Sequence, residues 1–190
     1  LGYYLSARVL WDVREAKNRE ALVEDFLAKS FGPAREPMSR FYRLLDASNR
    51  PLFTEDLLGR MYRCLNEARG LARDVATRAR IDDLVLYTAY ADGWMDLHAS
   101  TAEGETHQKQ FEALARFAYR MRDREMLQTT NFVRATSNRD KTLALPPGLK
   151  AGSPEGKNPW MTSTQFTEDE LSKLLERGIE DRKSTRLNSS

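Results

Sequence analysis

The chain is poor in the residues that most often build covalent, metal and redox chemistry: it has one cysteine, Cys64, and two histidines, His98 and His107. A single cysteine cannot close an internal disulfide, so the fold needs no oxidising compartment and excludes none. Two histidines without a Cys or carboxylate cluster at ligand spacing make a poor metal site, and no metal or cofactor is expected. No apolar run approaches the ~20 residues that span a bilayer, so no membrane span is expected. No motif recurs at a fixed period, which argues against a solenoid array. Nor does one sign of charge dominate: 30 Lys and Arg face 28 Asp and Glu, a formal net charge of +2. The charges interleave rather than cluster, which argues against a nucleic-acid partner.

The two ends are unusual. Leu1 opens directly into the apolar run Leu1-Gly2-Tyr3-Tyr4-Leu5. Termini are ordinarily polar and loosely held, so a segment upstream is expected to be missing, and the lack of a visible signal peptide carries no weight about localisation. At the other end, Asp181-Arg182-Lys183-Ser184-Thr185-Arg186-Leu187-Asn188-Ser189-Ser190 reads codon by codon as GAT CGG AAG AGC ACA CGT CTG AAC TCC AGT. That string resembles a common short-read sequencing adapter. Composition alone reads the stretch as a polar, disordered tail. The codon match instead favours an artefact, to be set aside from the fold. Setting it aside removes Arg182, Lys183 and Arg186 against Asp181, and the remaining charges balance.

What is present is helical patterning. Tyr4, Leu5, Val9, Leu10 and Trp11 predict a short buried helix over 3–11. Asn18 is placed to cap a second helix, whose Leu22/Phe26 and Val23/Leu27 pairs stand at i, i+4 and which stops at Phe31-Gly32-Pro33. Met38, Phe41, Tyr42 and Leu45 make the stripe of a third helix, ended by Ser48-Asn49-Arg50-Pro51. Thr54 caps a fourth, with Glu55 and Asp56 in its first turn and Leu58, Met61, Leu65 and Ala68 on its buried face; Gly70 ends or weakens it. From Thr77 to Ala99, the residues Leu84 to Tyr87, Tyr90, Trp94, Met95 and Leu97 cover nearly every side, which predicts the central packing element. A further helix over about 106–124 carries Phe111, Leu114, Ala118 and Met121. Residues 136–160, with Pro146-Pro147-Gly148 and Gly152-Ser153-Pro154, read as an irregular connector. Thr167 and Glu170 have capping-box spacing at the head of a last helix, within 161–180, bearing Leu171, Leu174 and Leu175, read as the lead-in to a further module.

Three local patterns together resemble a bacterial family, that of domain of unknown function 4838. They are Gly2-Tyr3-Tyr4 through Leu10-Trp11-Asp12, then Phe31-Gly32-Pro33-Ala34, then Met38 through Phe41-Tyr42 to Leu44-Leu45. The Asp25-Phe26 pair fits, and Asn158-Pro159-Trp160 with Thr167 and Glu170-Leu171 is a weaker echo. None of these motifs is catalytic. The resemblance implies a glycoside-hydrolase-like parent in which helices follow a (β/α)-barrel. Residues 1–12 would be the barrel's last helix, residues 1–135 a helical bundle packed after it, and the partners the upstream barrel and, through the parent, a poly- or oligosaccharide. It implies secretion or a periplasmic location.

Barrel active sites lie on loops after the strands, so the catalytic carboxylates are expected upstream of Leu1 and no catalytic residue within the chain. Asp92 and Asp96, at i, i+4, come nearest to the paired carboxylates of a glycosidase, but such pairs normally stand on separate loops. Asp92 continues the Ile81, Val85, Thr88 row and is expected buried beside an arginine, with Arg60, Arg63 or Arg120 as candidates. His98 reads as a helix C-terminal residue and Cys64 as a small core residue. Trp11 and Trp94 sit on apolar stripes and read as core, whereas Trp160, in a Pro-flanked loop, is the open candidate for stacking on a sugar. Arg116, Arg120, Arg122 and Arg124, interleaved with Asp123 and Glu125, read as a solvated face. The expectation is an all-α, irregular bundle of five to six helices: the non-catalytic helical region of a carbohydrate-active protein. The alternative is a free-standing helical interaction module unrelated to carbohydrate.

Overall fold

A computed structural model describes residues 1–46, 53–124, 126–149 and 158–184 of the chain. The helix stop expected at Ser48-Asn49-Arg50-Pro51, the Gly152-Ser153-Pro154 part of the connector, and Thr185 to Ser190 lie outside those residues. Among the described residues all regular structure is helical: α1 (Gly2–Trp11), α2 (Arg19–Phe31), α3 (Arg35–Leu45), α4 (Glu55–Leu71), α5 (Val75–Ala99), α6 (Gly104–Arg120), α7 (Thr129–Arg139) and α8 (Glu168–Ser184), joined by short 3-10 turns. None of these helices is long and apolar enough to cross a membrane. The chain forms two compact units, one of residues 1–85 and 171–190, the other of residues 86–170, so α5 and α8 each contribute to both.

In the first unit the core is built from Leu22, Leu27, Phe31, Met38, Phe41, Leu58, Met61, Tyr62, Leu65, Ile81 and Val85. The stripe read for α4 is thus buried throughout, whereas of those read for α2 and α3 Leu22, Leu27, Met38 and Phe41 are buried and Val23, Phe26, Tyr42 and Leu45 half-buried. Thr54 caps α4, its Oγ1 accepting from the Leu57 N–H at 3.2 Å. Gly32 takes φ 47, a backbone region that favours glycine, and lets α2 turn into α3 through the Gly32–Ala34 3-10 turn. Asn18 makes no side-chain cap; Asp12 caps the 3-10 turn Val13–Asn18 instead, accepting from the Arg14 N–H at 2.9 Å. The helix read as a lead-in to a further module packs here: Leu171 and Leu175 are buried. Gly178 faces Tyr62 so closely that an added Cβ would overlap the ring.

The first helix departs most from expectation. α1 buries no residue, and Tyr3, Leu10 and Trp11 are 96%, 87% and 93% exposed. Apolar spacing correctly reports a stripe, but it carries no information about whether another surface covers that stripe.

In the second unit, Leu97, Phe111, Leu114, Ala115, Tyr119, Val133, Leu143, Leu149 and Trp160 form one apolar cluster. Gly93 on α5 brings that helix close to α6: an added Cβ would lie 3.2 Å from Leu114 Cδ1. The described part of residues 136–160 therefore supplies core side chains, those of Leu143, Leu149 and Trp160. Three of the arginines read as a solvated face fasten the irregular run 159–165. Arg116 donates to the Pro159 carbonyl at 3.3 Å, Arg122 to that of Thr162 at 2.9 Å, and Arg120 to that of Gln165 at 2.6 Å. Arg120 also pairs with Glu170 at 2.8 Å and lies 4.0 Å over the Phe166 ring. Main-chain carbonyls outside helices need donors, and arginine reaches them while remaining partly hydrated.

Candidate functional site

The first candidate is the surface of α1. Tyr3, Ala7, Leu10 and Trp11 stand at i, i+4, i+7 and i+8, one helical stripe, and all four are exposed. Val13, just beyond, is 77% exposed. The opposite side of α1 is held to its own unit. The Tyr4 hydroxyl donates to Asp25, Arg8 bonds both Tyr4 at 3.1 Å and Glu15 at 3.0 Å, and Lys29 pairs with Asp25 at 2.7 Å. Lys29 first, and Tyr4 second, hold the Asp25 carboxyl below its ordinary range. The Tyr4 ring packs on Phe26, centroids 5.5 Å apart, and Phe26 meets both Phe31 and Tyr42. Tyr4, Arg8, Asp25 and Phe26 thus come together as a clasp that holds one side of α1. Beside it runs an apolar groove of about 470 Å³ lined by Leu5, Val9, Leu10, Ala16 and Leu22.

The second candidate is a cleft of about 900 Å³ in the other unit, between the end of α5, the start of α6 and the end of α7. The sequence offered no signal for it, because His107 and Asp140 lie far apart in the chain and α7 has too little apolar periodicity to be seen. His98 donates from Nδ1 to the Trp94 carbonyl at 2.9 Å, since a carbonyl can only accept, and its ring stacks on Trp94 at 3.8 Å. His98 is indeed in the last turn of α5. By the same reasoning His107 donates from Nε2 to Asp140 at 2.9 Å, leaving a buried Nδ1 with no hydrogen-bond partner among the described residues. Asp140 also accepts from the Thr142 hydroxyl and N–H; these bonds, with His107 after them, hold its carboxyl at about 2. A carboxyl that acidic stays ionised and cannot act as the general acid of glycoside cleavage. The cleft has the size of a small-molecule site.

The tryptophans fall opposite to their sequence reading. Trp160 is 2% exposed and meets Phe111 edge-on at 5.8 Å, whereas Trp94 is 39% exposed at the cleft and Trp11 is bare. Asp92 is buried as expected and Asp96 is exposed, so the two do not share an environment as a catalytic pair would. Arg120, a candidate partner for Asp92, is committed to Glu170 and Gln165, and Arg60 faces Asp56. Cys64 is half-buried rather than core, and burial raises its thiol. No group of His, Cys, Asp and Glu among the described residues is placed to hold a metal ion. Set against protein-family models, curated proteins and solved structures, the chain matches none of them.

Proposed function

We propose that the chain is a non-catalytic helical region that packs, through the outer stripe of α1, against a (β/α)-barrel of the same polypeptide. The observation that carries this reading is the bare stripe of Tyr3, Leu10 and Trp11 on a helix whose other side is clasped in place. Side chains of this kind cover 150–250 Å² each, so the two aromatics alone expose on the order of 400 Å², about the largest patch an isolated domain ordinarily carries. A free-standing module would have this face closed. The barrel as partner, and carbohydrate as the parent's substrate, rest on the resemblance carried by Gly2-Tyr3-Tyr4, Phe31-Gly32-Pro33-Ala34 and Phe41-Tyr42.

The test is amide hydrogen exchange of α1 in this chain alone and in the same chain joined to its barrel. Protection of residues 3–11 that appears only in the joined protein, and that Trp11→Ser together with Leu10→Ser removes, is the expected result. Identical exchange in both would overturn the reading, as would hydrolysis of a glycoside by this chain alone.

A further inference from the structure

A second concavity of the first unit, of about 500 Å³, lies where α3 runs along α4 and is independent of the α1 surface. Arg40 and Arg43 stand at i, i+3 on α3, and Arg60 and Arg63 at the same spacing on α4, so each pair shares a helix face. All four line the concavity, with Cys64 and Glu67. Arg40 is neutralised by Glu67, with Glu36 at 3.4 Å, and Arg60 reaches Asp56 only at 3.8 Å. The guanidiniums of Arg43 and Arg63 form no hydrogen bond or ion pair with any described residue.

Elsewhere in the chain buried and half-buried arginines are matched: Arg69 by Asp82, Arg120 by Glu170, Arg122 by two carbonyls. At Arg43 and Arg63 the match is withheld among the described residues. Like charges gathered on adjacent helix faces cost stability, so the arrangement gains nothing for the fold by itself. The gathered field is felt within the unit: burial pushes the Cys64 thiol up, and Arg40, Arg60 and Arg63 each act against that. Guanidinium groups present a planar fork of donors that matches phosphate and carboxylate oxygens two at a time. A space of 300–1,000 Å³ suits a small molecule and not a nucleic-acid duplex.

We propose that this pocket binds a small ligand bearing two or more oxyanion charges, gripped chiefly by the guanidiniums of Arg43 and Arg63. Phosphate and carboxylate groups both supply that chemistry, and the test separates them. Isothermal titration of the whole chain is made with pyrophosphate and, separately, with citrate, at fixed ionic strength. Saturable one-site binding of either is expected, the tighter of the two naming the group, and the dissociation constant should rise with added salt. In the double variant Arg43→Gln, Arg63→Gln it should rise about tenfold or more, the loss of one charge-assisted hydrogen bond. Arg134→Gln, an exposed arginine of the other unit, should leave it unchanged. Because the guanidiniums of Arg43 and Arg63 hold no partner among the described residues, helicity and the urea midpoint of the double variant should be kept or raised. If Arg63→Gln nevertheless loosens the helices, the exposed Arg43→Gln alone carries the test, with a rise of about threefold. Failure of both anions to saturate, or binding indifferent to these substitutions, would sink the proposal.

Discussion

Arg69 and Asp82 are 7% and 13% exposed and meet at 2.6 Å, the most enclosed ion pair described in the chain. Arg69 also donates to Ser172 at 3.3 Å, and its carbonyl accepts from Arg78 at 3.2 Å, so one side chain and its peptide link α4, α5 and α8 within their unit. Two desolvated charges do not by themselves raise stability, but removing Asp82 takes from the buried Arg69 the carboxylate it meets at 2.6 Å. Asp82→Ala is therefore expected to cost about 3–5 kcal/mol, read as a lower urea midpoint, far more than a surface carboxylate would. A loss below ~1 kcal/mol would show that Arg69 escapes to solvent. Neither residue stood out in the sequence, because a pair separated along the chain has no periodic signature. Asp92 did stand out, since its row of Ile81, Val85 and Thr88 is a local property of one helix. Its burial was legible. The tryptophans make the same point: Trp160 has no stripe to announce it, yet the Asn158 side chain accepts from its N–H at 2.9 Å and Phe111 covers its ring.

Among the elements, those with strong local signals formed where the chain announced them. The capping box at the head of α8 is complete: Thr167 Oγ1 accepts from the Glu170 N–H at 3.2 Å, and Glu170 accepts from the Thr167 N–H at 2.8 Å. Arg120 first, then the Thr167 backbone, lower the Glu170 carboxyl from 4.5 to about 2. A depressed carboxylate contributes stability above its unfolded value and loses it as pH falls through its folded one. The contribution is thus full above about 4.5 and is lost on descending to about 2. Glu170→Gln should lower the urea midpoint at neutral pH, modestly because the site is partly solvated, and the difference should close as the pH reaches 2. A difference independent of pH would mean that the amide's geometry, not the charge, is what matters. By contrast α7 was missed, because Thr129–Arg139 is largely polar and only Val133 among its large side chains is fully covered. At α1 the stripe was legible and its covering was not.

At the scale of the molecule, the first unit is assembled from both ends of the described chain, residues 1–85 and 171–190, and the second from what lies between. The expected connector was read from its Pro and Gly residues and the terminal lead-in from capping-box spacing and an apolar stripe, and such local signals do not say where a segment returns. Ending the chain after Glu170 removes Leu171 and Leu175, which are 5% and 2% exposed, and uncovers Tyr62. With about 2–5 kcal/mol for each large apolar side chain lost from a core, residues 55–85 should lose hydrogen-exchange protection while residues 104–139 keep theirs. Unchanged protection in 55–85 would show that α8 is dispensable to its unit.

The sequence by itself determined the all-helical class, the faces of α4 and α6, and the caps at Thr54 and Thr167. These depend on spacings of three and four residues and on side chains touching their own backbone, interactions that act within one turn. Only the tertiary structure decided which tryptophan is core, that α1 stays bare, that Arg116, Arg120 and Arg122 fasten a loop, and that four arginines of α3 and α4 share one concavity. Each of those depends on segments tens of residues apart arriving at one place, and burial and pairing are properties of that place rather than of the residue.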